Sequence, residues 1–123
     1  MKTAGMMSSE PLRGEIWRVQ LNPTRGDEIQ KIRPAVVISA NGLGGLRLRL
    51  VVPITGWKSA FVDIPWLVQI TPTPQNGLTK VSAANPLQTR SVSLECFTDK
   101  LGVLEETTLE EIVLALGIVI QYS

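Results

Sequence analysis

The feature that most constrains the fold is a succession of short, β-branched apolar segments punctuated by turn residues and closed by one stretch of helical period. Leu46 to Thr55 is the clearest strand: Leu46, Leu48, Leu50 and Val52 share one face, while Arg47 and Arg49 lie on the other. Gly14 to Leu21 alternates similarly, with Trp17, Val19 and Leu21 against Arg18 and Gln20. Pro34 to Ser39 is a compact run that reads as a buried strand. Shorter strands are expected at Leu67–Thr71, Leu78–Ser82 and Lys100–Leu104, with a strand end and a short helical turn between Arg90 and Thr98. Asn22–Asp27, Trp57–Pro65 and Pro72–Gly77 read as loops, and Asn41-Gly42 and Gly44-Gly45 punctuate a hairpin-like connection.

The C-terminus changes period. Thr108-Leu-Glu-Glu111 has the form of a capping box, and Leu109, Ile112, Val113 and Leu116 follow at i, i+3, i+4 and i+7. Many short strands and one closing helix predict a mainly β fold, a small curved antiparallel barrel or sheet with the helix packed on it. With neither repeats nor a linker, residues 13–123 are expected to form one domain after a flexible segment, 1–12.

The chain contains no histidine. That excludes serine and cysteine triads, His-bound zinc and paired-histidine ribonuclease chemistry, and leaves Arg, Lys, carboxylates, hydroxyls and backbone amides for catalysis. The single cysteine, Cys96, rules out an internal disulfide and reads as a small buried hydrophobe in a reducing, cytoplasmic setting. No apolar h-region precedes Glu10, and the longest apolar run, Ile112–Ile120, falls short of the roughly 18–20 residues of a membrane span. The net charge of +1 hides an asymmetry: residues 1–60 carry nine Lys/Arg against four Asp/Glu, residues 61–123 three against seven. A polyanion would be drawn to the first half.

Three segments combine polar groups with strand ends: Gly26 to Pro34, Val51 to Gly56, and Gln88-Thr89-Arg90-Ser91. Pro34 pushes Arg33 towards extended geometry, which restricts its side chain. Arg13-Gly14-Glu15-Ile16-Trp17, Leu21-Asn22-Pro23, Gly26, Glu28 and Arg33-Pro34-Ala35-Val36-Val37-Ile38-Ser39 resemble the first signature of the MazF/PemK family of toxins. Val51-Val52-Pro53-Ile54-Thr55 resembles the second, and Gly77-Leu78, Ser82 and Gln88-Thr89-Arg90-Ser91-Val92 the third. The order and spacing match from Arg13 to the closing helix.

The resemblance implies an SH3-like barrel, usually a homodimer, and a sequence-specific, metal-independent endoribonuclease without cofactor that cleaves single-stranded RNA, messenger RNA foremost. Arg33 and Thr55 match the principal catalytic pair, and Glu28 an acidic residue used in some members. Lys31, Arg25, Gln88, Arg90, Arg47, Arg49 and Trp57 are candidates for holding RNA; Trp57 and Trp66 could stack bases or serve packing. The partner implied is a small acidic antitoxin. Two departures stand out: an Arg/Asp pair used by some plasmid members is replaced by Asn85-Pro86-Leu87, and Cys96 stands where many members have arginine. The competing readings are a non-enzymatic gyrase poison of the CcdB type, whose Trp-Gly-Ile tail is missing from Val119-Ile120-Gln121-Tyr122-Ser123, and an inactive member that only binds antitoxin.

Overall fold

The computed structural model describes residues 10–21, 31–43 and 45–122. Residues 1–9 of the expected flexible segment, and Arg25 and Glu28, lie outside these. Among the described residues seven antiparallel strands make one sheet in the order β4-β5-β3-β2-β1-β7, with β6 also paired to β3. The strands are β1 Glu15–Gln20, β2 Ile32–Val37, β3 Leu48–Gly56, β4 Val68–Ile70, β5 Ser82–Ala84, β6 Arg90–Ser93 and β7 Phe97–Val103. Among the described residues one helix, α1, runs from Glu106 to Val119. The fold is mainly β with a closing helix, as expected, and among the described residues the sheet does not close on itself.

The central strands bury both faces, which is why they read as continuous β-branched runs rather than clean alternations. Ile16, Val36, Val52 and Ile54 pack with Ile70, Leu109 and Ile112 beneath α1. Trp17, Val19, Ala35, Val37, Val51 and Val92 form a second core on the opposite face, with Cys96 and Phe97 partly buried against it. The edge of Trp17 meets Phe97 in a T-shaped pair at 5.9 Å.

Strand β3 decides where the functional site can form. It is nine residues long, and Val51, Val52 and Pro53 pair with β2 along one edge. On the other edge, Leu48–Val51 pair with β6 and Ile54–Gly56 with β5. The handover falls at Pro53, which has no N–H to give a ladder; its carbonyl instead accepts the backbone N–H of Asn85 at 3.0 Å. The chain between β5 and β6 therefore leaves the sheet beside Pro53 and Thr55.

Three expectations need correction. No strand runs over Leu78–Ser82; it begins at Ser82, where Leu78–Ser82 was expected to end. The buried Asn76 side chain accepts the N–H of Leu78 at 3.0 Å and of Thr73 at 3.1 Å, so the chain enters this stretch from a tight turn and stays irregular up to Ser82. The true strand, Ser82-Ala83-Ala84, lacks β-branched residues and owes its place to β3 and β4 on either side. The helix starts at Glu106, so Thr108 lies inside it and the capping box is not formed. The buried stripe of α1 is Leu109, Ile112 and Ala115, with Leu116 partly covered; Val113 is exposed. Finally, Leu46, Leu48 and Leu50 are exposed while Val52 is fully buried, because the first half of β3 extends past the ground α1 covers.

Glu15 shows how the first motif is locked. Its buried carboxylate accepts the N–H of Leu12 and the indole N–H of Trp17, each at 2.9 Å, and meets Lys100 Nζ at 3.0 Å. Burial pushes the carboxyl pKa up, but the Trp17, Leu12 and Lys100 contacts outweigh it and bring it below the ordinary 4.5. A carboxylate lowered in the folded state stabilises fully above its unfolded pKa and loses that contribution as pH falls through the folded value. Glu15→Gln is expected to cost about 1.5–3 kcal/mol at neutral pH and to flatten the acid limb of the melting temperature against pH. An unchanged acid limb would mean the carboxylate is not coupled to folding.

Candidate RNA-cleaving site

A cleft of ≈ 820 Å³ opens beside the handover in β3. Its wall carries Arg33 from β2, Pro53, Ile54 and Thr55 from β3, Asn85 and Gln88 from the β5–β6 connection, and Arg90 from the start of β6. Lys31, Leu21, Lys58 and Phe61 complete it. Arg33 and Thr55 are 22 residues apart in sequence yet share this cleft, because the Ala35–Pro53 register, continued two residues along both strands, brings them opposite each other on one face.

Local geometry fixes the other wall. Asn85 caps the 3-10 turn Pro86–Gln88, its Oδ1 accepting the N–H of Leu87 at 3.1 Å. Thr89 Oγ1 donates to the Pro86 carbonyl at 2.6 Å, tightening the same turn. Gln88 and Arg90 are exposed at its exit. A second 3-10 turn, Ser59–Asp63, follows directly on Thr55-Gly56-Trp57-Lys58. Side chains three apart eclipse in such a turn, so Lys58, its N-cap, and Phe61 reach the cleft together.

The cleft is cationic. Lys31, Arg33, Lys58 and Arg90 line it; among the described residues none of them is in an ion pair and no carboxylate joins them in the wall. Four cations around a concave surface concentrate positive potential where an anion would lie. Arg33 offers a planar fork of donors, Thr55 a hydroxyl, and Asn85 and Gln88 amide groups: a donor set suited to phosphate oxygens.

Arg33, Thr55, Lys31, Gln88 and Arg90 are thus brought together, and three other candidates are not. Arg47 pairs with Glu95 at 3.0 Å, whose carboxyl is held down to about 2 by the Ser93 hydroxyl and by Arg47 itself. Arg49 donates to the carbonyls of Pro11, Leu46 and Leu48 and lies 3.6 Å from Glu10. Trp57 is not in the wall; its ring meets Phe61 edge to face at 5.6 Å. Trp66 packs against the main core. Sequence reading missed Lys58, Phe61 and Asn85. The Asn-Pro step was a signal for the last, whereas the first two needed the segment after Thr55 to be seen as a 3-10 turn rather than an open loop.

Residues 12–120 match the family of PemK-like, MazF-like toxins of type II toxin–antitoxin systems. The chain belongs to the PemK/MazF toxin family. Endoribonuclease MazF9 of Mycobacterium tuberculosis is 34% identical over 106 residues, covering 81% of this chain and 87% of that protein. A mycobacterial endoribonuclease solved with its cognate antitoxin superposes with a TM-score of 0.72 at 22% identity, over 92% of this chain and 97% of that one. MazF from the MazE–MazF complex of Deinococcus radiodurans gives 0.71 at 24% identity over 92% and 97%. These two similarities show a MazF-like fold. The PemK/MazF signatures now have structural roles: Glu15 anchors the first strand, Pro53 breaks the ladder, and Gln88 to Arg90 close the cleft.

Proposed function

We propose that this toxin cleaves single-stranded RNA, messenger RNA foremost, in the Arg33–Thr55 cleft, through attack by the substrate's own 2′-hydroxyl. The toxin is an endoribonuclease, as its curated relatives MazF9 and PemK are named. What carries the proposal is the convergence of Arg33, Thr55 and three further cations on one cleft with no carboxylate in its described wall.

In the reaction the 2′-oxygen forms a bond to the adjacent phosphorus while the bond to the 5′-oxygen breaks. The 2′-hydroxyl proton passes to a base, for which Glu28 is the family candidate, and the departing 5′-oxygen takes up a proton. A 2′,3′-cyclic phosphate, or the 3′-phosphate from its hydrolysis, and a 5′-hydroxyl end result. Charge grows on the non-bridging oxygens; Arg33 meets them with its fork and Thr55 adds a hydroxyl donor. The role of Arg33 is charge stabilisation by a fixed fork of donors rather than proton donation. The nucleophile comes from the substrate, so the step needs neither metal nor cofactor. Base preference would reside in loops 22–32 and 56–65, of which Lys31, Lys58 and Phe61 line the cleft.

The same reading makes the toxin a cytoplasmic homodimer held inactive by a small acidic antitoxin whose tail occupies the cationic cleft in place of RNA. Leu114 and Ile118, one turn apart on α1 and 70% and 64% exposed, are apolar surface that a second copy would cover. The test is cleavage of a long unstructured RNA in EDTA, beside its all-deoxy counterpart, with and without antitoxin, on protein whose mass is followed by sedimentation. RNA-only cleavage leaving 5′-hydroxyl ends, suppressed by antitoxin in a salt-dependent way, is expected from a dimer. Intact RNA from a protein that still arrests growth would move the reading to a non-enzymatic poison.

A further inference from the structure

Phe61 is out of place in its surroundings. The rest of the cleft wall is dominated by cations, amides and a hydroxyl, and Phe61 is the one aromatic ring there. It sits half-buried on the 3-10 turn Ser59–Asp63, a turn with no buried residue, so the ring is not there to fill a core. Trp57 stands at 90° to it with centroids 5.6 Å apart, an edge-on contact that fixes the plane of the ring. The turn itself is closed by Phe61 N–H to the Lys58 carbonyl and Ile64 N–H to the Phe61 carbonyl, both at 2.9 Å. The polypeptide has thus built a rigid apolar plane beside a cationic track, with Lys58 next to it.

A ring held in that way, next to charges that attract phosphates, matches the two needs of a single-stranded nucleic acid: a path for the backbone and a face for an unstacked base. We infer that Phe61 is a base-stacking platform for one nucleotide flanking the scissile phosphate, that Trp57 positions it, and that Lys58 holds the phosphate of that nucleotide. The inference rests on the RNA-cleaving function of the same cleft. Stacking tolerates any base but favours purines for their larger face, so the platform contributes register and affinity more than identity.

The test is a cycle between protein and substrate. Short RNAs carry an abasic site at each position around the cleavage point in turn, and each is assayed with wild type, Phe61→Leu, Phe61→Trp and Trp57→Leu. Wild type should lose about 5- to 100-fold in kcat/KM at one flanking position when its base is removed, expressed mainly in KM. Phe61→Leu should lose a similar factor on intact RNA and nothing further on that abasic RNA. Phe61→Trp should restore the wild-type pattern, and Trp57→Leu should give a smaller loss at the same position. Phe61→Leu cleaving all RNAs within twofold of wild type overturns the platform while leaving the nuclease intact, as does equal loss on intact and abasic RNA. Binding of the all-deoxy oligonucleotide is measured in parallel. Dependence on Phe61 without any cleavage would retain the platform and reject the nuclease, whereas wild type that neither cleaves nor binds rejects both.

Discussion

Arg33→Ala is expected to lower RNA cleavage about 10²- to 10³-fold with the fold unchanged. Arg33 is exposed and makes no ion pair among the described residues, so its removal leaves neither a cavity nor an orphaned partner among them. What disappears is a fork of donors held at the end of β2 and aimed at the cleft opposite Thr55. Arg33→Lys keeps the charge but not the paired, planar donors, and should recover only part of the loss. Thr55→Val removes one hydroxyl donor and should fall between wild type and Arg33→Ala. If both residues stabilise the same oxyanion, the double variant should be less than multiplicatively impaired. Single-turnover cleavage with saturating protein separates this chemical defect from weakened binding. Arg33→Ala turning over RNA within threefold of wild type would remove Arg33 from the reaction.

Gly77→Ala is expected to destabilise the protein by about 3 kcal/mol or more, far beyond the penalty of its backbone angle alone. Gly77 has φ +71, and a Cβ there would lie 2.1 Å from the Leu101 carbonyl oxygen, a backbone atom of β7 that cannot swing aside. Gly42 provides the control: φ is +76, but a Cβ would meet nothing within 4 Å. Gly42→Ala should therefore cost only about 1 kcal/mol, the left-handed penalty by itself. Urea unfolding of the two variants gives the comparison. Equal losses would mean that conformation, not the close approach of the 71–78 turn to β7, is what glycine supplies at position 77.

That turn also shows why parts of the fold were hidden in the sequence. Its shape comes from Asn76, which is fully buried, accepts two backbone N–H groups and donates to the Thr71 carbonyl at 3.0 Å. An asparagine in a polar loop gives no sign that its side chain will be sealed under β7. Likewise, Ser82-Ala83-Ala84 carries no strand signal of its own, and the 3-10 turn after Thr55 looked like an open loop. Lys58 and Phe61 were overlooked for that reason, whereas Trp57, the more conspicuous aromatic, turned out to buttress Phe61 from outside the wall.

Local chemistry written in the chain was enough to determine the mainly β class, the strands around Trp17, Val36 and Val52, the closing helix, and the exclusion of histidine-based catalysis. Those properties depend on period, side-chain branching and composition, each of which acts over a few neighbouring residues. The motifs around Arg33, Thr55 and Gln88 to Arg90 were also legible, because strand ends with polar tips stand out against apolar runs. Tertiary structure alone decided that these three segments meet, since their meeting depends on the β2–β3 register and on the change of partners at Pro53. It alone decided which arginines remain available: Arg33 and Arg90 reach the cleft, while Glu95 neutralises Arg47 and backbone carbonyls engage Arg49. Charge is a property of the residue, but whether it can act on a ligand depends on what the fold places beside it.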